Sequence, residues 1–150
     1  MKTRAFAAAL LCAVSLSARS QQATTFRDLE PMQPTVLSKE EVQQLLPGAK
    51  ISRLNARGNT NTWTNEPGGD FIARSNLAAT SAGGRTTSVP GKWHISDDGR
   101  YCVLIEWRGA DTEEWCRFIV KTTDGYYATR STGVGTERVY KLDKIGRAHV

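Results

Sequence analysis

The residues best suited to bind a small molecule are aromatic and basic side chains in the second half of the chain. They are Trp93, Tyr101, Trp107, Trp115 and Tyr126, with Arg117 and Arg130. Guanidinium groups bind carboxylates and phosphates through paired hydrogen bonds, and aromatic rings surround an apolar body. If one face of a sheet brings these residues together, the sequence predicts a site for a small amphipathic or anionic ligand.

No combination of residues indicates a catalytic centre. His94 would need a positioned partner to act as a general base, and no local motif supplies a serine or cysteine nucleophile. Asp97 and Asp98 precede Gly99, where turn formation explains them. The Gly-Val-Gly segment 133–135 lacks the lysine and the following helix of a phosphate-binding loop. We therefore predict that the protein is not an enzyme.

The first twenty residues have the features of a secretory signal peptide. Two basic residues precede an apolar stretch of twelve residues, 5–16, which is too short to span a bilayer as a helix. Small residues in the −3 and −1 positions favour cleavage before Gln21. The alternatives are a buried N-terminal helix and a lipid anchor at Cys12, which Leu11 disfavours because lipoproteins carry a small residue there. Cleavage predicts a periplasmic or secreted protein without an integral membrane segment.

Cleavage also changes the charge of the chain. It removes Lys2, Arg4 and Arg19, so that 17 basic residues instead of 20 stand against 15 acidic ones, and the net charge falls from +5 to +2. A chain with so small an excess, and with no run of four basic residues, is not expected to bind nucleic acid.

Two cysteines, Cys102 and Cys116, follow the cleavage site. In an exported chain such a pair predicts a structural disulfide, which closes a loop of 15 residues. A redox-active pair would usually be closer in sequence. A metal site would need further ligands, and the only histidines are His94 and His149. We predict neither a metal nor a cofactor.

One helix is predicted near the start of the mature chain. Residues 21–37 are polar, contain two prolines and show no period, so we expect a flexible tether before a single domain that covers 38–145. Ser38 and Glu41 have the spacing of a capping box and predict a helix over 38–46. Because two turns are not stable alone, the apolar stripe of this helix must pack against the rest of the domain.

From residue 50 onward the pattern is that of short strands and turns. The candidate strands cover 51–54, 62–64, 70–73, 92–96, 100–107, 114–123, 126–130 and 137–142. Residues 79–91 are small and polar and are predicted as a loop. The glycine-containing turns 97–99 and 124–125 are typical of hairpins. Seven or eight antiparallel strands with one short helix predict a mainly β protein, a small barrel or curved meander sheet.

These turns and the disulfide predict which side chains share a face, because side chains alternate along a strand. The face predicted to be the concave interior holds Trp93, Ile95, Tyr101, Val103, Ile105, Trp107, Trp115, Ile119 and Tyr126, together with Arg117 and Arg130. The other face holds His94, Cys102, Leu104, Cys116, Phe118, Val120 and Tyr127. We expect the helix 38–46 to cover this second face.

Two interpretations of the interior arginines remain open. An isolated charge inside a protein is very costly, so Arg117 and Arg130 must be paired or solvated. They bind an anionic ligand, or they lie near the barrel mouth, where they reach water or pair with Glu106, Asp111 or Glu113. We expect Glu113 itself to be solvated in a hairpin loop.

Several motifs carry a resemblance to a known family. They are Gly91-Lys92-Trp93-His94-Ile95, Asp98-Gly99-Arg100-Tyr101-Cys102, Trp107, Cys116-Arg117 and Asp124-Gly125-Tyr126, preceded by LSKEEVQQLLPG at 37–48. This pattern resembles a widespread family of small exported bacterial proteins of unknown function with a G-x-W … DG-x-x-C … W … C core. The resemblance covers about residues 37–142. It implies a lipocalin-like, disulfide-tied β-fold in the cell envelope and no catalytic residues to transfer.

Two functions fit these predictions best. The first is a non-enzymatic exported binding protein whose aromatic-lined barrel holds a small amphipathic or anionic ligand. The second is a protein-interaction module, such as an inhibitor of an envelope or host hydrolase, that binds through the loop 79–91 or the hairpin tip 108–114. An enzyme on the same scaffold is the third, since small barrels host many functions.

Overall fold

Strands dominate the part of the chain that the computed structural model describes, which is residues 23–55, 58–76, 86–142 and 146–147. They form a nearly closed antiparallel barrel of eight strands, accompanied by two short helices. The predicted mainly β architecture is therefore confirmed. The predicted signal peptide with Cys12, the segment 79–85 and His149 lie outside the described residues.

The strands follow one another across the sheet in sequence order. Their bounds are β1 Thr35–Val36, β2 Ala49–Leu54, β3 Thr60–Thr64, β4 Asp70–Asn76, β5 Thr86–Ile95, β6 Tyr101–Ile105, β7 Glu113–Thr122, β8 Gly125–Thr129, β9 Val139–Leu142 and β10 Gly146–Arg147. Each strand from β2 to β8 pairs antiparallel with the next, while β1 pairs with β7 and β10 pairs with β2. Because β10 follows β9 closely and pairs with β2, which itself contacts β9, the chain brings the two edges of the sheet together.

The loop predicted over 79–91 is wrong for its last six residues. Residues 86–91 belong to β5, where Thr86 pairs with Asn76 and Gly91 with Phe71. The small polar composition of this segment favoured a loop, but β4 supplies a backbone partner along its whole length. A residue of low strand propensity is accommodated when the neighbouring strand satisfies its backbone.

The predicted capping-box helix is present as α1, Lys39–Leu45. The Ser38 hydroxyl accepts a hydrogen bond from the Glu41 backbone at 3.2 Å, and the Glu41 carboxylate accepts one from the Ser38 backbone at 3.1 Å. The expected position of α1 is wrong, because Val42 and Leu46 are fully buried in the interior cluster of the barrel. The apolar stripe closes one open end of the barrel, where interior side chains would otherwise meet water.

A second short helix lies in the segment predicted to be a tether, and the expectation of a single N-terminal helix is wrong. The 3-10 helix Phe26–Met32 and strand β1 both fall within 21–37. Leu29 is fully buried with Val120 and Tyr127 on the outer face of β7 and β8. This segment, rather than α1, covers that face. Among the described residues, no helix is long and apolar enough to cross a membrane.

The predicted faces agree with the structure. Cys102 pairs with Cys116 as expected, but the last hairpin pairs Thr122 with Gly125 instead of Thr123 with Tyr126. The Thr122 hydroxyl accepts a hydrogen bond from the Asp124 backbone at 3.1 Å, which places the turn one residue earlier. The pairing shifts by two residues, and an even shift leaves the side chains of β8 on their predicted faces. Arg130, predicted on the interior face, lies beyond the end of β8 and is exposed.

Candidate functional site

The end of the barrel near α1 is filled by a buried hydrogen-bond chain. The Tyr101 hydroxyl accepts a hydrogen bond from the Trp63 indole at 2.9 Å and donates one to the Asn65 side chain at 2.7 Å. Asn65 in turn donates to the backbone carbonyl of Leu46, at the end of α1. Tyr101 is completely buried, and burial raises the pKa of its hydroxyl. This predicted ligand residue therefore belongs to the packed core.

Charged side chains lie beside this hydrogen-bond chain in the barrel interior, where the ring centroids of Tyr101 and Trp115 are 5.5 Å apart. Glu113, the first residue of β7, forms an ion pair with Arg53 of β2, and both side chains are 18% exposed. Its two carboxylate oxygens also accept hydrogen bonds from the indoles of Trp107, at 3.0 Å, and Trp115, at 2.8 Å. The expectation that Glu113 is solvated is wrong, because its strand register beside Ile105 turns the side chain inward.

Two guanidinium groups contact the same tryptophan ring. The Cζ atoms of Arg53 and Arg117 lie 5.6 and 5.8 Å from the centroid of Trp115. The Cζ atom of Arg117 also lies 4.5 Å from the ring centroid of Tyr140 in β9. A cation over an aromatic ring is attracted electrostatically by the face of the ring, and this attraction is stronger where water is excluded. We call Arg53, Glu113, Trp115, Arg117 and Tyr140 the arginine cluster.

Both arginines of the cluster are destabilised in their charged form. Burial, together with a smaller effect of the positive charge of Arg117, lowers the pKa of Arg53 to about 10. Burial also lowers the pKa of Arg117, with an opposing effect from Tyr140 and a smaller lowering from Arg130. Glu113 forms an ion pair with Arg53, and the charge of Glu137 opposes part of the lowering of the pKa of Arg117.

Three buried polar atoms around the cluster have no hydrogen-bond partner among the described residues. They are Nε of Arg53, Nη1 of Arg117 and Oδ1 of Asn61. Asn61 is 2% exposed and is the direct register neighbour of Arg53 on β3. Buried polar groups are nearly always paired, so these unpartnered donors and this acceptor make the cluster a candidate site for a ligand.

The seven predicted site residues lie in different surroundings. Trp115 and Arg117 belong to the arginine cluster, and Trp107 contacts it through Glu113. Trp93 is 7% exposed and donates a hydrogen bond to the Glu66 carbonyl at 2.8 Å, and Tyr101 lies in the core. Tyr126 is half-buried beside Leu45 of α1, and Arg130 is exposed. The structure thus places Arg53, not Arg130, over the tryptophan that Arg117 contacts.

The sequence prediction missed Arg53, Asn61 and Tyr140. Arg53 follows Ala49 and Ile51 at alternate positions of β2, and both of those residues are buried. This period of two was the available signal that Arg53 faces inward. It could be used only with the register of β2 against β3, which no turn motif in the sequence specifies.

A groove of about 790 Å³ lies outside the arginine cluster, against the outward-facing side chains of β2 to β6. Its lining includes Ile72, Pro90 and Leu104, with the exposed ion pair between Lys92 and Asp70. No buried unpartnered polar group of the described residues lines this groove. The arginine cluster therefore remains the better candidate site.

Comparisons with known proteins place the chain in a family without assigning an activity. Neither the curated proteins nor the solved structures gave a match. A family model with the description "Protein of unknown function (DUF995)" matches residues 10–132. That range covers most of the chain and includes Trp115 and Arg117 of the arginine cluster, and the chain belongs to this family.

Proposed function

We propose that the protein is a non-enzymatic, exported binding protein whose barrel holds a small amphipathic anion at the arginine cluster. The observation that carries this proposal is the pair of buried, unpartnered donor atoms on Arg53 and Arg117 around Trp115. A carboxylate or phosphate accepts from guanidinium groups through short, charge-assisted hydrogen bonds. The rings of Trp115 and Tyr140 would contact the apolar part of the ligand.

The charge balance of the cluster supports an anionic ligand over a neutral one. Burial is the main cause of the lowered pKa of Arg53, and the positive charge of Arg117 adds to it. Among the described residues, Glu113 forms an ion pair with Arg53, and the charge of Glu137 acts on Arg117. A further negative charge would relieve the repulsion between the two arginines. Asn61 Oδ1, for which the described residues provide no hydrogen-bond donor, would accept from a hydroxyl or amide group of the same ligand.

A periplasmic or extracellular location is part of the proposal. It is supported by the disulfide between Cys102 and Cys116, since disulfides persist in oxidising compartments. The signal-peptide features of residues 1–20 support it independently. A non-enzymatic role is supported by the position of His94, which faces outward while the arginine cluster faces the interior.

Ligand titration tests the proposal. Dodecanoate and dodecyl phosphate, below their micelle concentrations, are added to the full chain while tryptophan fluorescence is recorded. Binding beside Trp115 changes its emission, and we expect dodecanol, which has the same apolar chain without charge, to bind more weakly. Arg117→Gln removes charged hydrogen bonds and is expected to weaken anion binding at least about tenfold.

Arg74→Gln is the matched control, because Arg74 is an exposed arginine on the outward face of β4. It should leave the affinity for dodecanoate unchanged. The proposal is wrong if neither anion alters the fluorescence, or if Arg117→Gln and Arg74→Gln bind dodecanoate equally. Circular dichroism of each variant confirms that the fold is retained.

A further inference from the structure

Three potential metal ligands form a row on the outer face of the barrel. His94 of β5 is the register partner of Cys102 in β6, and Cys102 is the partner of Cys116 in β7. One ligand atom from each residue lies within 4.8 Å of the other two. Two cysteines need further ligands to form a metal site, which is why the sequence predicts none. The sheet register supplies one of them, His94.

The disulfide keeps these ligands unavailable in the oxidised protein. The Sγ atoms of Cys102 and Cys116 are bonded to each other. Thiolates, not disulfide sulfurs, are the strong ligands of metal ions. A dithiol reductant would transfer two electrons and two protons to the disulfide, becoming a disulfide itself and leaving two thiols. A divalent cation would then displace the two thiol protons.

The distances suit a zinc ion once the sulfurs separate. Zinc binds thiolate sulfur at about 2.3 Å and imidazole nitrogen at about 2.0 Å, so ligand atoms around it lie roughly 3.5–3.8 Å apart. The three ligand atoms already lie within 4.8 Å of one another, so we expect rotation of these side chains to bring them into this range.

The three ligands differ in how far they are exposed to solvent, and this determines whether the site is open or closed. Cys102 is buried, Cys116 is half-buried and His94 is exposed, so an ion would lie at the surface with one side toward solvent. Three protein ligands leave the fourth position of a tetrahedral zinc ion for water. This is the arrangement of an accessible, exchangeable site rather than a closed structural one.

We propose that reduction of the Cys102–Cys116 disulfide creates a Cys2His site for Zn²⁺ with His94 as the third ligand. The disulfide and the ion exclude each other, so the redox state of the surroundings controls metal binding. Bound zinc in turn protects the thiols from reoxidation. This site is separate from the arginine cluster, and neither proposal depends on the other.

Cobalt(II) is the probe, because its bonds to thiolates give a charge-transfer band in the near ultraviolet. The full chain carrying Cys12→Ser is reduced with a phosphine, which becomes the phosphine oxide, and is desalted without oxygen. We expect one Co²⁺ to bind per reduced chain, Zn²⁺ to displace it, and the oxidised chain to show no band. The Cys102→Ser/Cys116→Ser variant should also show none.

Two histidine variants separate a folded site from binding by loose cysteines. His94→Gln should weaken cobalt binding at least about tenfold, while His149→Gln, a change in the other histidine, should leave it unchanged. In an unfolded reduced chain, the His94→Gln and His149→Gln variants would bind Co²⁺ equally. The proposal is overturned if reduced protein shows no more of the band than the double serine variant, or if both histidine variants bind Co²⁺ equally.

Discussion

At the scale of single residues, Tyr101 shows how one hydroxyl group ties several elements together. It links Trp63 of β3 and Asn65 beyond it to β6, and Asn65 extends the chain to the end of α1. All three side chains are buried, at 0–3% exposure. Removing the hydroxyl leaves the Trp63 donor and the Asn65 acceptor without their partner.

We expect Tyr101→Phe to lower the free energy of unfolding by about 1–3 kcal/mol, the usual cost of unpaired buried polar groups. Urea denaturation at neutral pH measures it. Tyr126→Phe is the control, since Tyr126 is only half-buried and no hydrogen bond of its hydroxyl is described; its effect should stay within about 0.5 kcal/mol. Equal stability of the two variants would contradict the importance of the hydroxyl.

Tyr101 also predicts a pH dependence. Burial raises its pKa in the folded protein above the ordinary value of 10.0, so above pH 10 the unfolded chain loses this proton while the folded chain keeps it. The unfolded state then binds fewer protons, and stability falls as the pH rises. Wild type should lose stability between pH 9 and 11 more steeply than Tyr101→Phe. If the unfolding free energies of wild type and Tyr101→Phe fell equally with pH, Tyr101 would not be the origin of the loss of stability at alkaline pH.

At the scale of elements, the 3-10 helix Phe26–Met32 depends on a single carboxylate at its start. The Asp28 side chain accepts hydrogen bonds from the backbones of Thr25, at 2.9 Å, and Thr24, at 3.0 Å. These two bonds, in that order, are the main reason that the pKa of Asp28 falls to about 2. Helix starts leave backbone donors that such side chains satisfy.

We expect Asp28→Asn to weaken the acid dependence of stability. The folded pKa of Asp28 lies below its ordinary value of 3.8, so its contribution is present above that pH and is lost as the pH falls toward 2. Urea midpoints from pH 5 to pH 2 should therefore fall less in Asp28→Asn than in wild type. Asp111→Asn, in the exposed turn before β7, serves as the control and should follow wild type. A wild-type slope in Asp28→Asn would refute the role of this carboxylate.

The two short helices differ in how visible they are in sequence. The spacing of Ser38 and Glu41 predicts a capping box at the start of α1, and the structure contains it. The 3-10 helix has the same kind of cap at Thr25 and Asp28, but its one fully buried anchor, Leu29, shows no period. Besides its cap, this helix is held by the packing of Leu29 with Val120 and Tyr127, nearly a hundred residues away in the chain. Such long-range contacts cannot be predicted from the local sequence.

At the scale of the whole molecule, the disulfide joins two central strands of the barrel. It links β6 to β7 at a Cα separation of 4.0 Å, across a hairpin in which Tyr101 and Trp115 also contribute to the core. A covalent link reduces the freedom of the unfolded chain, and for a loop of 15 residues the gain is about 3 kcal/mol in the chain-entropy model.

We expect reduction, in the presence of a chelator, to lower the unfolding free energy of the whole protein by about 3 kcal/mol. Thermal melts followed by far-ultraviolet circular dichroism measure it, and Cys102→Ala/Cys116→Ala should show a similar loss without reductant. Cys12→Ser, which leaves the pair intact, should melt as the wild type does. An unchanged melting temperature after reduction would show that the disulfide contributes nothing to stability.

Sequence alone determined the β architecture, the disulfide, the helix cap and the inward face of β5 to β8, because hairpin turns and side-chain alternation are local properties. The position of α1 and the partner of Arg117 were decided only by tertiary structure. Arg53 lies 64 residues before Arg117 in the chain, and the two arginines contact one ring only because the barrel closes β2 toward β9. His94 likewise reaches the cysteines through register between strands. The aromatic and basic residue types in the sequence predict that a site exists. Which of these residues lie together depends on how the sheet closes into the barrel.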